Sequence, residues 1–247
     1  AVKALEAGYH VLCEKPLAIK MEDCQAIVDA AKKSNKKFMV GQVCRKTPSF
    51  ILAKQAGLDI TYAWHLDEIP ASPVYMLPNL CGLAAIEGHV LSEILRRVEN
   101  GATLYVSLGN ALMSPFSSYT GVKVKTRRQR TQGDRVTFAD GTTADMWSEI
   151  KNQYEVTTAK VLAYTADGNP ALTVNEYGKG KVYFCAYPIE SDAGCHAGIV
   201  SGDGARDLYR FYAACDLRNS EKTAKSDSPY VCVTEHIKSA DERILAI

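Results

Sequence analysis

Charge of one sign is what this chain has least of. Lys and Arg total 29 and Asp and Glu 28, a formal net charge of +1. Such a balance gives no electrostatic footprint for nucleic acid or an anionic membrane surface, so neither partner is expected. No apolar run approaches the ~20 residues that cross a bilayer, so no membrane span is expected. Residues 1–8 lack the charged-then-apolar order of a secretory signal. Paired cysteine spacing is also missing. Cys13, Cys24, Cys44, Cys81, Cys185, Cys195, Cys215 and Cys232 form no C-x-x-C pair, and several sit inside apolar runs. Buried free thiols in a reducing compartment, the cytoplasm, fit this usage. Cys195 and His196 are adjacent, but no second pair stands at ligand spacing, so no metal is expected. There is no repeat and no low-complexity segment.

What is present is ordinary globular composition, 47% apolar and 23% charged over 247 residues, enough for one large domain or two small ones. Residues 1–8 read as a helix end stopped by Gly8. Residues 10–13 read as a short strand followed by a turn at Glu14, Lys15 and Pro16. Met21–Ser34 reads as a helix with Cys24, Ile27, Val28 and Ala31 on one buried face. Residues 37–43 read as a strand, 48–56 as a helix opened by Pro48 and closed by Gly57, and 60–64 and Val74–Leu80 as strands. Gly88–Glu99 reads as a helix with Val90, Leu91, Ile94, Leu95 and Val98 inward, ended by Gly101, and 102–108 as the next strand. This alternation argues for a parallel sheet covered by helices.

From residue 121 to 188 the pattern changes to shorter strands. Leu172 and Val174, then Val182, Phe184 and Ala186, alternate on either side of Gly178, Lys179 and Gly180, which predicts a β-hairpin. Lys123, Lys125, Arg127, Arg128 and Arg130 alternate with Val122, Val124 and Thr126, and the reading is a solvated strand face. Asp67 and Glu68 read as a solvated loop. Residues 205–215 form an amphipathic helix pattern and 230–236 a late strand; a further apolar run begins at 242.

The hairpin wording goes beyond its pattern. Gly168, Pro170, Ala171, Thr173, Asn175, Tyr177, Gly178 to Lys181, Tyr183 and Phe184 resemble a segment near the end of the trimerisation domain of family 42 β-galactosidases. Leu58, Asp59 and Ile60, then Val74 to Pro78, then the helix and strand over 88–108, extend that resemblance over roughly residues 50–247. It implies an α/β fold: doubly wound, flavodoxin-like or a class I glutamine amidotransferase-like sandwich, with an added β-hairpin region. A true amidotransferase bears a nucleophilic cysteine after the strand 102–108. Here the turn is Ser107, Leu108, Gly109 and Asn110, and Cys81 reads as a structural thiol, so no catalytic triad is assembled. The glycosidase chemistry needs two carboxylates on a barrel of about 250 residues, so no catalytic residue is assigned.

Residues 1–45 resemble another family. Ala4, Ala7, Gly8, His10 to Cys13, Glu14, Lys15, Pro16, Leu17 and Ala18 are similar to the dinucleotide-binding domain of the glucose–fructose oxidoreductase and inositol dehydrogenase family. The resemblance implies that Lys15, flanked by Glu14 and Pro16, is a vestige of a nicotinamide site. The G-x-G-x-x-G turn that holds the pyrophosphate of NAD or NADP is not found at or before Glu14. Asp192 and His196 have the spacing of that family's hydride-transfer pair but lie within the other resemblance, and the match reads as coincidence.

These readings divide the chain into a partial dinucleotide-binding βαβ segment, 1–46, and an amidotransferase-like trimerisation domain, 47–247, truncated at its C-terminus. The junction falls near residues 45–50, with strand 37–43 standing in as the first strand of the second sheet. The function expected is a non-catalytic oligomerisation or accessory domain of a glycoside hydrolase, fused to an oxidoreductase fragment. Its partners are further copies of itself and a carbohydrate-active catalytic domain, and no cofactor is expected. The alternatives are an NAD(P)-dependent oxidoreductase, or a glycoside hydrolase whose barrel lies outside this chain.

Overall fold

A parallel strand pair needs a crossover, and the N-terminal residues supply one. In the computed structural model, which describes residues 1–41, 63, 67, 69–82, 86–111, 116–195, 204–215, 217, 234–237 and 243–246, the chain splits into two compact units, Ala1–Phe50 and Ile51–Ile247. In the first, β1 (Val11–Glu14) pairs in parallel with β2 (Phe38–Gly41) through α2 (Met21–Ser34), preceded by α1 (Val2–Glu6). Gly8, at φ +85°, takes the chain out of α1. α2 buries Ile27 and half-buries Cys24 and Ala31. Val28, expected on the same face, is 38% exposed: it sits one residue beyond Ile27, about 100° further round the helix. The backbone N–H of Lys37 donates to His10 Nδ1 at 2.9 Å, tying the start of β2 to β1. Strand 37–43 does not join the second unit's sheet. β2 pairs with β1 in a two-stranded sheet of its own, where a βαβ crossover places it.

The second unit runs β3 (Val74–Leu80), α3 (Gly88–Glu99), β4 (Thr103–Leu108), α4 (Phe116–Thr120), β5 (Val122–Gln129), β6 (Asp134–Phe138), β7 (Thr143–Met146), β8 (Ile150–Val156), β9 (Lys160–Thr165), β10 (Pro170–Tyr177), β11 (Gly180–Cys185), α5 (Ile189–Cys195), α6 (Gly204–Cys215), β12 (Thr234–Ile237) and β13 (Arg243–Ala246). Its seven-stranded sheet has the order β3-β4-β11-β10-β9-β6-β7. Only β3, β4 and β11 are mutually parallel; β10, β9, β6 and β7 continue antiparallel. The fold is therefore α/β with a mixed sheet: the parallel pairing expected from the alternation is seen between β3 and β4, and the shorter strands after residue 121 add the antiparallel part. The short strands after residue 121 need only turns between them, which suits antiparallel pairing. β5 and β8 form a separate two-stranded ribbon, and β12 and β13 another. The helix expected at 48–56 and the strand at 60–64 lie outside the described residues, as do the junction near 45–50 and residues 230–233 of the late strand.

Both faces of the sheet's centre are covered, and the strand period of two sorts the side chains. Leu104, Val106, Leu108, Val182 and Phe184 pack with Leu91, Ile94 and Val98 of α3 and with Phe116 and Tyr119 of α4. Tyr105, Tyr183 and Cys185 pack on the other side with Phe211 and Tyr212 of α6. Phe184 meets Phe116 edge-on at 5.0 Å, and Phe138 meets Phe211 in the same way at 5.0 Å. Each fully buried side chain of this size contributes about 1.5–3 kcal/mol.

The glycines of the predicted hairpin have a physical reason. Tyr177 pairs with Gly180, leaving Gly178 and Lys179 as the turn. The turn sits against the end of α3: Lys179 N–H donates to Glu99 O at 2.9 Å, and Lys181 N–H to Ala102 O at 3.3 Å. A Cβ on Gly178, at φ +61°, would lie 2.6 Å from Glu99 Cα; one on Gly180 would collide with the carbonyl oxygens of Ala102 and Val98. Asn175, two residues before Tyr177, donates from Nδ2 to Tyr119 O at 3.0 Å and accepts from Thr158 Oγ1 at 2.8 Å.

Gly180→Ala is expected to cost about 1–3 kcal/mol, because backbone atoms on both sides must move. Gly88→Ala, in a helix with open space around it, should be neutral or stabilising by up to about 1 kcal/mol. Urea denaturation of both variants checks this; equal stabilities would remove the close-approach argument.

Candidate functional site

Ligand sites of α/β sheets gather at the carboxyl ends of the parallel strands. Here those ends bring together β3, β4 and β11. Asn79, near the end of β3, adopts φ +52°, where the β3–β4 register shifts between Leu77 and Leu80. Its N–H donates to Ser107 Oγ at 2.6 Å. Ser107, fully buried near the end of β4, donates in turn to Glu190 Oε2 at 2.5 Å. Tyr212 of α6 donates to Glu190 Oε1 at 3.0 Å. The Tyr105 hydroxyl lies near enough to influence Glu190 but makes no hydrogen bond within bonding geometry. Burial drives the Glu190 pKa above the ordinary carboxylate value, against the Ser107 and Tyr212 hydrogen bonds that oppose the shift.

The expected amidotransferase resemblance would place a nucleophile after the strand over 102–108. Ser107 is unsuited to that role, because its hydroxyl is already committed to Asn79 and Glu190. In this unit, exposed His89 stands 3.4 Å from Glu87. Cys81 is exposed and donates weakly to Asn79 Oδ1 at 3.2 Å. A Cβ on Gly109 would lie 2.5 Å from its sulfur, so the turn after β4 closes tightly on this thiol. Arg127 braces the same turn, donating to Asn110 O at 2.6 Å and Ala111 O at 3.3 Å.

A second charged cluster lies at the other end of the sheet order. Arg130, expected on a solvated face, is buried. It pairs with Asp134 and donates to Ser148 O at 2.9 Å, and its guanidinium lies 5.5 Å or less from an aromatic ring, over Tyr187 at 5.3 Å. Asp134 also accepts from Tyr187 OH at 2.7 Å and Lys151 Nζ at 3.3 Å. Burial opposes ionisation of Asp134, but Tyr187, Arg130 and Lys151 outweigh it and hold the pKa below the usual value. The rest of the basic run matches expectation: Lys123, Lys125, Arg127 and Arg128 are exposed on β5. The misread of Arg130 has a plain cause, since Tyr187 and Ser148 reach it only through the fold. Sequence reasoning also passed over Glu190, whose one local signal is a carboxylate in an otherwise apolar segment after Tyr187 and Pro188.

In the first unit, Glu14, Lys15 and Pro16 stand at the carboxyl end of β1, all three exposed. The Glu14 carboxylate lies over Gly41 at the matching end of β2; a Cβ there would stand 3.1 Å from it. Asp67 is exposed, while Glu68, Cys44, His196 and Cys232 lie outside the described residues. Among the described residues no three His, Cys, Asp or Glu side chains gather as metal ligands, and no helix is long and apolar enough to cross a membrane.

The two half-buried carboxylates predict opposite pH responses. An unfolded glutamate titrates near ~4.3. Glu190 is raised above that in the folded chain, so its contribution to stability falls as pH rises from that value toward its folded pKa. Glu190→Gln should therefore gain in melting temperature relative to the parent from pH 4 to pH 7. Asp134 is lowered, so the stability it contributes is present at neutral pH and lost on acidification through its folded pKa. Asp134→Asn should cost about 3 kcal/mol at pH 7, since it strands the buried Arg130. Thermal melts across pH decide both; parallel curves for Glu190→Gln and the parent would contradict the first.

Two family models match the chain. Residues 1–42 match the oxidoreductase family with an NAD-binding Rossmann fold, and residues 82–213 match the β-galactosidase trimerisation domain. The levoglucosan dehydrogenase of Pseudarthrobacter phenanthrenivorans is 47% identical over 55 residues, 22% of this chain and 14% of that enzyme. The inositol 2-dehydrogenase of Salmonella typhimurium is 38% identical over 55 residues, 22% of this chain and 16% of that enzyme. The chain thus spans about a seventh of the curated relatives it matches. The solved β-galactosidase of Bacillus circulans sp. alkalophilus is similar at 16% identity and a TM-score of 0.48, over 68% of this chain and 25% of that one. Because the second match spans more than half of the chain, the protein belongs to the β-galactosidase trimerisation domain family, with an N-terminal segment similar to the NAD-binding Rossmann fold of the oxidoreductases.

Proposed function

We propose that the chain is a non-catalytic self-association domain, accessory to a carbohydrate-active catalytic domain and carrying an oxidoreductase-like segment ahead of it. The match of residues 82–213 to the trimerisation domain carries this reading. Exposed apolar side chains support it. Val124 and Val156 are each 40% exposed on the β5–β8 ribbon, and Leu12 and Met39, register partners in the first unit, are 68% and 63% exposed. Parallel sheets are normally covered on both faces, so such a pair calls for a partner. Three parallel strands with helices against both faces support a flavodoxin-like or glutamine amidotransferase-like ancestry for the second unit, with the domain boundary near residue 46. Free Cys13, Cys24, Cys81, Cys185 and Cys215 support a reducing, cytoplasmic setting.

Sedimentation of the full chain tests this reading. Three-chain assemblies are expected, and a monomer at the highest soluble concentration would overturn it. No hydrolysis of a nitrophenyl β-galactoside is expected, since no barrel positions paired carboxylates here.

The match at residues 1–42 favours a second reading, a dinucleotide-dependent oxidoreductase. The residues of the first unit do not fit the cofactor. Among the described residues of the first unit, no G-x-G-x-x-G turn stands at a helix N-terminus to hold the pyrophosphate. Lys15 is a solvated ammonium, and an exposed ion pair is worth about 0–1 kcal/mol, whereas micromolar affinity needs about 8 kcal/mol. Calorimetry should show no saturable NAD or NADP binding below millimolar. A micromolar constant abolished by Lys15→Ala would restore the oxidoreductase reading.

A further inference from the structure

Beside the sheet's edge strand β7 lies an open depression of about 540 Å³, within the range of about 300–1,000 Å³ typical of small-ligand sites. Trp147, Arg135, Asp145, Asp134 and Asp192 line it. We propose that it binds a neutral pyranose ring, stacked on Trp147 and hydrogen-bonded through the Arg135–Asp145 pair.

Three observations support this site. Trp147 follows β7 directly, remains 48% exposed and lines the depression. The C–H face of a pyranose is apolar and flat, and an aromatic ring is its natural complement. Arg135 and Asp145 are register partners on β6 and β7. They form a bidentate pair at 2.8 and 3.0 Å, with side chains 64% and 71% exposed. That pairing uses two of the five guanidinium N–H bonds. The remaining donors stand beside carboxylate lone pairs still open to a hydroxyl. A sugar diol, which donates from one hydroxyl and accepts at its neighbour, matches this side-by-side arrangement. Finally, Asp134, which also lines the depression, is held by Arg130, Tyr187 and Lys151, so its carboxylate is fixed before a ligand arrives. The balance of charge selects against anions: Arg130 is matched by Asp134, Arg135 by Asp145, and Lys151 by Asp134 and Asp167, so these pairs leave no cation over for an anionic sugar. Sugar phosphates and uronic acids are therefore excluded.

This inference does not rest on self-association, which sedimentation of the same samples reports separately. The test follows the indole N–H resonances of the full chain, which has two tryptophans, during titration with lactose. Trp147→Phe assigns the Trp147 signal and keeps a stacking ring. A saturable shift of that signal with a millimolar Kd is expected. Trp147→Ala, Arg135→Gln and Asp145→Asn should each weaken lactose about tenfold, while Trp147→Phe, followed by calorimetry, stays within about threefold. Galactose 6-phosphate should produce no shift. No movement of the Trp147 resonance up to the solubility of lactose would overturn the proposal. So would undiminished binding by a folded Trp147→Ala, or a shift that follows protein concentration and not sugar, which would make the edge of β7 a contact between copies.

Discussion

The second unit is organised around one close approach, in which the turn at Gly178, Lys179 and Gly180 presses its backbone onto the end of α3 and the start of β4. No side chain separates the two segments. That contact sets the register of β11 on β4, with Lys181 opposite Thr103 and Cys185 opposite Ser107. Through β11 it also positions β10 and the antiparallel half of the sheet. The two architectures of this unit, parallel α/β and antiparallel meander, are joined at a strand whose place is fixed by the absence of two Cβ atoms.

From that join the chemistry separates to two places. At the carboxyl ends of the parallel strands, Glu190 is half-buried with hydroxyl partners and, among the described residues, no cation hydrogen-bonded to it. On the antiparallel side, half-buried Asp134 is paired with two cations and a tyrosine. The same kind of group is thus pushed in opposite directions by its neighbours. Among the described residues, neither cluster includes a histidine or a thiolate at bonding distance, and neither resembles a nucleophile with its base. Their effect is to lock β4 to α5 and α6, and β6 to the segment after β11.

Much of this was legible in the residues. α2 and α3 were readable end to end because an amphipathic period is bracketed by chain-reversing residues, Asn35 in the left-handed region after α2 and Gly101 after α3. The hairpin was readable because alternation meets a glycine-rich turn. The solvated side chains of β5 were readable from charge alternation. What was not legible depends on contacts between distant segments. Arg130 looks like its neighbours until Tyr187 and Asp134 close around it. Strand direction is also silent in the pattern, since β11 is buried on both faces and reads the same whether its partner runs parallel or antiparallel. Ser107 and Glu190 carry no local mark of their pairing for the same reason.

The mixed sheet has a consequence for the order in which it can be assembled. The β10–β11 hairpin closes a two-residue turn and the β6–β7 pair a short one, so their loop-closure entropy is small. The seam between β4 and β11 joins strands far apart in the chain, with β5 to β10 between them. Antiparallel pairs can zip locally, but that seam must wait until the intervening ribbon and meander have formed. Until then, the apolar edges of β4 and β11 stand open at the same time, and this interval is when the chain is most exposed to pairing with another copy of itself.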